Sequence, residues 1–173
     1  MKMLLIGGTG FIGPHVVRQL QANGHEVTIF HRGNQPAPDS VGEIIGDRNH
    51  LRDSRETFAR EKFDAVIDFV LSSERQAKDL MQTLRGITQR VVALSSMDVY
   101  RAWGVFYRLQ PGGLQELPLT EDSELRTQAP YPPEVIKSRR QVIPWMMTSM
   151  TRFQSRASSS AMPSFRALFC VCR

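Results

Sequence analysis

The sequence predicts an α/β fold built on a doubly wound parallel sheet. Three observations carry that prediction. Short apolar runs fit for buried strands alternate with amphipathic helical stretches from the second residue to Leu94. The strand runs are apolar almost throughout, as expected of parallel strands covered on both faces. The first of them, Met3-Leu4-Leu5-Ile6, passes directly into the glycine-rich turn Gly7-Gly8-Thr9-Gly10-Phe11-Ile12-Gly13.

The elements follow in order. Strand one covers residues 2–6. Helix one runs over about residues 11–22, with Val16, Val17 and Leu20 on one face and Pro14 in the first turn, where a missing N–H matters little. Asn23-Gly24 ends it. Strand two covers residues 26–30, rich in Val and Ile, and closes at His31-Arg32-Gly33. A loop with Pro36, Pro38 and Gly42 leads to a short strand at 43–45 and then Gly46-Asp47-Arg48. A second helix is expected over about 51–62, an apolar strand over 63–69, a third helix over about 73–84 stopping at Gly86, and a further strand over 89–94. Beyond Tyr100 the regularity fades: residues 101–133 read as loop with short elements, and from Glu134 the periodicity is lost. The expected division is therefore a nucleotide-binding domain over residues 1–125 and an irregular tail over 126–173.

The glycine spacing at the first turn has a chemical reading. Gly7 can take a turn geometry closed to side chains, Gly10 lets backbone approach a phosphate, and Gly13 lets the helix sit close on the strand. The unpaired N–H groups at the helix start then face an anion, aided by the helix dipole. This strand–turn–helix context is that of a dinucleotide pyrophosphate site, with Gly7, Thr9, Gly10, Phe11, Ile12 and Gly13 as the binding residues.

Arg32 lies about 20 residues further on, where an acidic side chain would bind a ribose hydroxyl and an arginine accommodates a 2′-phosphate. No acid occupies Phe30, His31 or Gly33, so NADP(H) is favoured, with NAD(H) the alternative; a solvated loop arginine is the plainer reading. Asp47 either accepts from an adenine amine or merely favours a helix N-terminus. Phe69 and Val70 either wall the adenine side of the crevice or are ordinary core. Ser95 and Ser96 follow the last clear strand, where strand carboxyl ends line a ligand crevice. Their hydroxyls either bind a reacting carbonyl or alcohol or cap the strand end.

Composition narrows the classes. Of 173 residues, 41% are hydrophobic and no apolar run approaches a membrane span, so a cytoplasmic protein without membrane contact is expected. The net charge of +5 resides in the tail: residues 134–173 hold seven Lys or Arg and one acid, leaving 15 basic and 16 acidic groups in residues 1–133. A nucleic-acid footprint is not expected of the folded part. The two cysteines, Cys170 and Cys172, form neither a disulfide framework nor a metal site.

Taken together, Gly7-Gly8-Thr9-Gly10-Phe11-Ile12-Gly13, Gly46-Asp47-Arg48, Phe63-Asp64-Ala65-Val66-Ile67-Asp68 and Ser95-Ser96-Met97-Asp98-Val99-Tyr100 resemble the NAD-dependent epimerase/dehydratase family, the extended short-chain dehydrogenase/reductases. The resemblance covers roughly residues 1–130. It implies a Rossmann-like sheet, here incomplete on its C-terminal side, and a nicotinamide cofactor, with Arg48 also at the cofactor. It implies a small-molecule substrate such as a nucleotide sugar or another carbonyl or alcohol compound, and is compatible with a homodimer. The serine aligned with Ser96 would help hold the reacting oxygen, while a tyrosine transfers the proton and a lysine lowers that tyrosine's pKa. Non-catalytic NADP(H) binding and RNA binding are the alternatives within this fold.

The chain departs from the family pattern at the tyrosine and lysine. Tyr131 and Lys137 are too far apart for a Tyr-x-x-x-Lys pair, and Pro132-Pro133 opposes the helix that carries it. Tyr100 and Tyr107 have no suitably spaced lysine. The tail reads either as a genuine divergent C-terminus or, the favoured expectation, as family sequence in a shifted frame: back-translation of residues 145–151 from the last base of the tryptophan codon gives forced aspartates and allows DDDFYDKIPVE. The same frame across 162–172 allows DAELPGTILRLP. A stop or unrelated residues in that frame of the gene would refute this expectation. Weak or absent turnover is expected of the chain as it stands.

Overall fold

The computed structural model of the chain describes residues 1–127 and the strand 166–170. Six strands form one parallel sheet: β1 (Lys2–Ile6), β2 (Glu26–His31), β3 (Gly42–Ile45), β4 (Ala65–Asp68), β5 (Arg90–Leu94) and β6 (Arg166–Cys170). Their order is β3-β2-β1-β4-β5-β6, so the winding reverses between β1 and β4. Four helices accompany them: α1 (Gly13–Ala22), α2 (Arg55–Glu61), α3 (Glu74–Leu84) and α4 (Arg101–Phe106). The doubly wound Rossmann-like sheet expected from the sequence is present.

By their contacts the described residues fall into two compact units. The first gathers residues 1–71, 75–94 and the strand 166–170; the second gathers 72–74 and 95–127. In the first unit Leu4, Leu5 and Ile6 of β1 and Ile29 of β2 are fully buried. Val17 of α1 is packed with Leu5, Val27 and Ile29, with Val16 and Leu20 beside it, which is the apolar face that the helical spacing gave. Phe58 of α2 stands edge-on to Phe30 and Phe63, with ring centroids 5.4 and 6.4 Å apart.

Two boundaries differ from expectation for identifiable reasons. Helix α1 starts at Gly13, with Pro14 in its first turn, because the glycine turn extends through Ile12. The expected helix over 51–62 is split: residues 48–54 form 3-10 turns broken at His50, and only Arg55–Glu61 is α-helical. Asp47 caps the 3-10 start by accepting from the Asn49 amide at 2.9 Å. Within the expected irregular tail, the apolar run Ala167-Leu168-Phe169-Cys170 belongs to β6, which pairs in parallel with β5. Tyr131, Lys137 and the segment 145–151 lie outside the described residues.

Candidate functional site

Strand ends set the position of the glycine turn. The Gly7 amide donates to the Phe30 carbonyl at 2.9 Å and the Phe69 amide to the Ile6 carbonyl at 3.0 Å, so β1 ends level with β2 and β4. That edge, at the reversal of strand order, is where open α/β sheets take ligands.

The three spaced glycines differ in what the structure asks of them. Gly7 has φ +78°, a left-handed geometry that side chains disfavour. At Gly13 a Cβ would overlap the carbonyl group and Cα of Gly8, so only glycine lets α1 start this close to the turn. At Gly10 a Cβ would meet nothing within 4 Å among the described residues, and its φ is not in the left-handed region. Nothing among them forbids a side chain there; the open space above Gly10 suits an approaching phosphate. Among the described residues the amides of Gly10, Phe11 and Ile12 enter no backbone hydrogen bond, and Phe11 is 92% exposed. Open space beside available N–H groups at a helix start fits a pyrophosphate.

The neighbouring residues divide into available and engaged. Arg32 is exposed at the end of β2, and makes no ion pair among the described residues. Its neighbour His31 is buried, with Nε2 2.5 Å from Glu43 Oε1. Arg32 is thus the exposed cation at this strand end. Asp47 is exposed and uses Oδ1 to cap the following turn, leaving its other oxygen accessible. Phe69 and Val70 are half-buried directly after β4, and Val70 Cγ1 would lie 3.0 Å from a Cβ on Gly7.

Arg48, expected at the cofactor, is buried and ion-paired: Nε and Nη2 lie 2.9 and 2.8 Å from Asp68 Oδ2. Burial pushes the Asp68 carboxyl up from the ordinary aspartate range, with Arg48 and the Val70 and Leu71 amides pulling it down. Sequence reasoning passed over this partner, although a carboxylate inside the run Val66-Ile67-Asp68-Phe69-Val70 was a signal that a buried cation would be needed.

In the second unit Ser95 and Ser96 are half-buried at the exit of β5. A 3-10 turn at Met97–Val99 follows, and α4 begins after Tyr100. Two residues on, Asp98 is buried, and among the described residues its Oδ2 meets no hydrogen-bond partner. Burial pushes the Asp98 carboxyl up, while Ser96 and the charge of Arg126 pull it down. Arg126 is buried too and its amide donates to the Val99 carbonyl at 2.9 Å, tying 124–126 to the turn through the Tyr100–Leu125 bridge. Neither buried charge was anticipated: Arg126 lies beyond α4 in the chain and reaches the turn only through the fold. Tyr100 is buried, and burial together with Glu121 pushes its hydroxyl up, opposite to the need of a proton-transferring tyrosine.

The sequence profile of the NAD dependent epimerase/dehydratase family matches residues 3–150. The chain belongs to that family. It is 30% identical over 145 residues to a UDP-glucose 4-epimerase of Lactobacillus helveticus, covering 76% of this chain and 43% of the relative. It is 34% identical over 99 residues to a 2′-dehydrokanamycin reductase of Streptomyces kanamyceticus, covering 56% of this chain and 28% of the relative. Among solved structures, the UDP-Glc/GlcNAc 4-epimerase of Campylobacter jejuni superposes with a TM-score of 0.68 at 21% identity, over 98% of this chain and 52% of that one. The chain thus spans less than half the length of these two relatives, and about half that of the solved structure. Among the described residues no helix is long and apolar enough to cross a membrane, and no cluster of His, Cys, Asp and Glu could hold a metal ion.

Proposed function

We propose that the chain binds a nicotinamide dinucleotide at the Gly7–Gly13 turn, with NADP(H) favoured, and acts in hydride exchange with a nucleotide sugar or another carbonyl or alcohol compound. The observation that carries it is Gly10: a glycine that nothing among the described residues requires, under open space, beside amides that enter no backbone hydrogen bond there. Arg32 supports the 2′-phosphate, being an exposed cation with no acid beside it in sequence. Family membership supports an NAD-dependent oxidoreductase. The bound nicotinamide supplies or accepts the hydride. Ser96, half-buried at the exit of β5, would hold the reacting oxygen by donating its hydroxyl proton to it in a hydrogen bond.

A second reading, a module that binds NADP(H) without turnover, is favoured by one observation. No tyrosine of the sequence has a lysine four residues on, and Tyr100 is buried. Titration of the purified chain with NADPH and NADH tests the shared core of both readings. Saturable binding with NADPH the tighter is expected; absence of saturable binding of either at millimolar concentration refutes both. A panel of carbonyl substrates with bound NADPH then separates the enzyme from the module.

A further inference from the structure

We propose that Arg48 and Asp68 are a positioning pair for the nucleotide site, holding the loop that closes over the first glycine of the cradle. The inference rests on the nucleotide-binding reading above and deepens it.

Asp68 is the last residue of β4 and stands opposite Ile6, the last of β1. These are the two strands between which the sheet order reverses, so the carboxylate lies at the base of the ligand crevice. It is completely buried, and a charge there requires partners. Its two oxygens are used for two different tasks. Oδ2 receives Arg48 Nε at 2.9 Å and Nη2 at 2.8 Å. Oδ1 receives the Val70 amide at 3.0 Å, with the Leu71 amide next in the chain. The Oδ1 bond bends the chain directly after β4. That bend brings Val70 Cγ1 to 3.0 Å, and Phe69 Cβ to 3.6 Å, from where a Cβ on Gly7 would stand.

Arg48 ties the other end. It follows the Gly46 amide, which donates to the His31 carbonyl at 2.8 Å, and a Cβ on Gly46 would run into the Phe30 ring. The turn after β3 is therefore fixed against β2. Nη2 of Arg48 also donates to the Gln76 carbonyl of α3 at 3.0 Å. One guanidinium thus joins the turn after β3, the end of β4 and the start of α3. A buried pair kept for stability alone can often be replaced by apolar side chains without loss. What this pair supplies is direction: the fork holds the carboxylate in the orientation that bends residues 69–71 onto Gly7. Lysine keeps the charge but lacks the planar fork.

The test uses the 173-residue chain with Arg48→Lys and, separately, the double substitution Arg48→Met with Asp68→Leu. NADPH affinity is read by titration well below the melting temperature. Exchange of the Val70 and Leu71 amides with deuterium is read alongside. Phe63→Leu, in the core at the amino end of β4 and away from the carboxyl ends of the strands, serves as a destabilised comparison. Both Arg48 variants should fold, bind NADPH at least tenfold more weakly and exchange the two amides faster, while Phe63→Leu keeps the affinity. Folded variants that bind NADPH within twofold of the unaltered chain overturn the inference alone. Loss of folding in both variants assigns the pair to stability and overturns it as well. Failure of the unaltered chain to bind any nucleotide removes the function and this inference together.

Discussion

Gly13→Ala is the sharpest test of the cradle. The added methyl would stand well inside the 3.0 Å that real Cβ atoms essentially never breach, and against backbone atoms of Gly8 that have no rotamer to give. Helix α1 must then retreat from the turn by about 1 Å, and displacements of this size disable positioned groups by about 10²-fold. The retreat also loosens Val17, which is fully buried against β1 and β2. Overpacking of this kind destabilises by about 1–3 kcal/mol. Losing one charge-assisted bond from the cradle amides to the pyrophosphate costs about 1.5–3 kcal/mol, which is about 10- to 150-fold in Kd. Gly24→Ala provides the comparison. Gly24 has φ +74° but nothing within 4 Å of a Cβ, so the alanine pays only the left-handed backbone penalty of about 1–2 kcal/mol. Thermal melting and NADPH titration should show both variants less stable and only Gly13→Ala defective in binding. Equal NADPH affinity in Gly13→Ala and the unaltered chain would falsify the helix-start cradle.

Three further outcomes are expected. Arg32→Asp removes the exposed cation at the end of β2 and should shift the NADPH-to-NADH affinity ratio toward NADH by about tenfold or more, about 1.4 kcal/mol; an unchanged ratio assigns Arg32 to solvent. Phe58→Ala empties a fully buried site between Phe30 and Phe63 and should cost about 3–5 kcal/mol in urea denaturation, a loss below about 1 kcal/mol contradicting the packing. Asp98 has a folded pKa raised above the ordinary 3.8 by burial. Its protonated form therefore favours folding: the contribution is complete below pH 3.8 and lost as pH rises through the raised value. The stability of the unaltered chain relative to Asp98→Asn should fall with rising pH across that window and level off above it. A relative stability that rises with pH would mean that Arg126 and Ser96 outweigh burial.

The sequence by itself determined the local backbone structure of the first turn. Gly7, Gly10 and Gly13 were legible because each requirement acts within a few residues: a left-handed φ, an open approach and a close strand–helix contact. Pro14 and Gly24 marked the first turn and the end of α1 for the same reason, and the unbroken apolar runs announced parallel strands. Arg32 and Asp47 were legible as positions but not in role, because exposure decides whether a charge is available to a ligand. Only the tertiary structure decided which buried charges meet. Arg48 and Asp68 are 20 residues apart in sequence, and Arg126 is buried beside the turn after β5 only because 124–126 folds back on it. Nothing in either short segment states its partner, since pairing of buried charges depends on the desolvation that both acquire on folding. The same holds for β6: an apolar run of this length reads equally as loop or strand, and the edge of β5 makes it a strand.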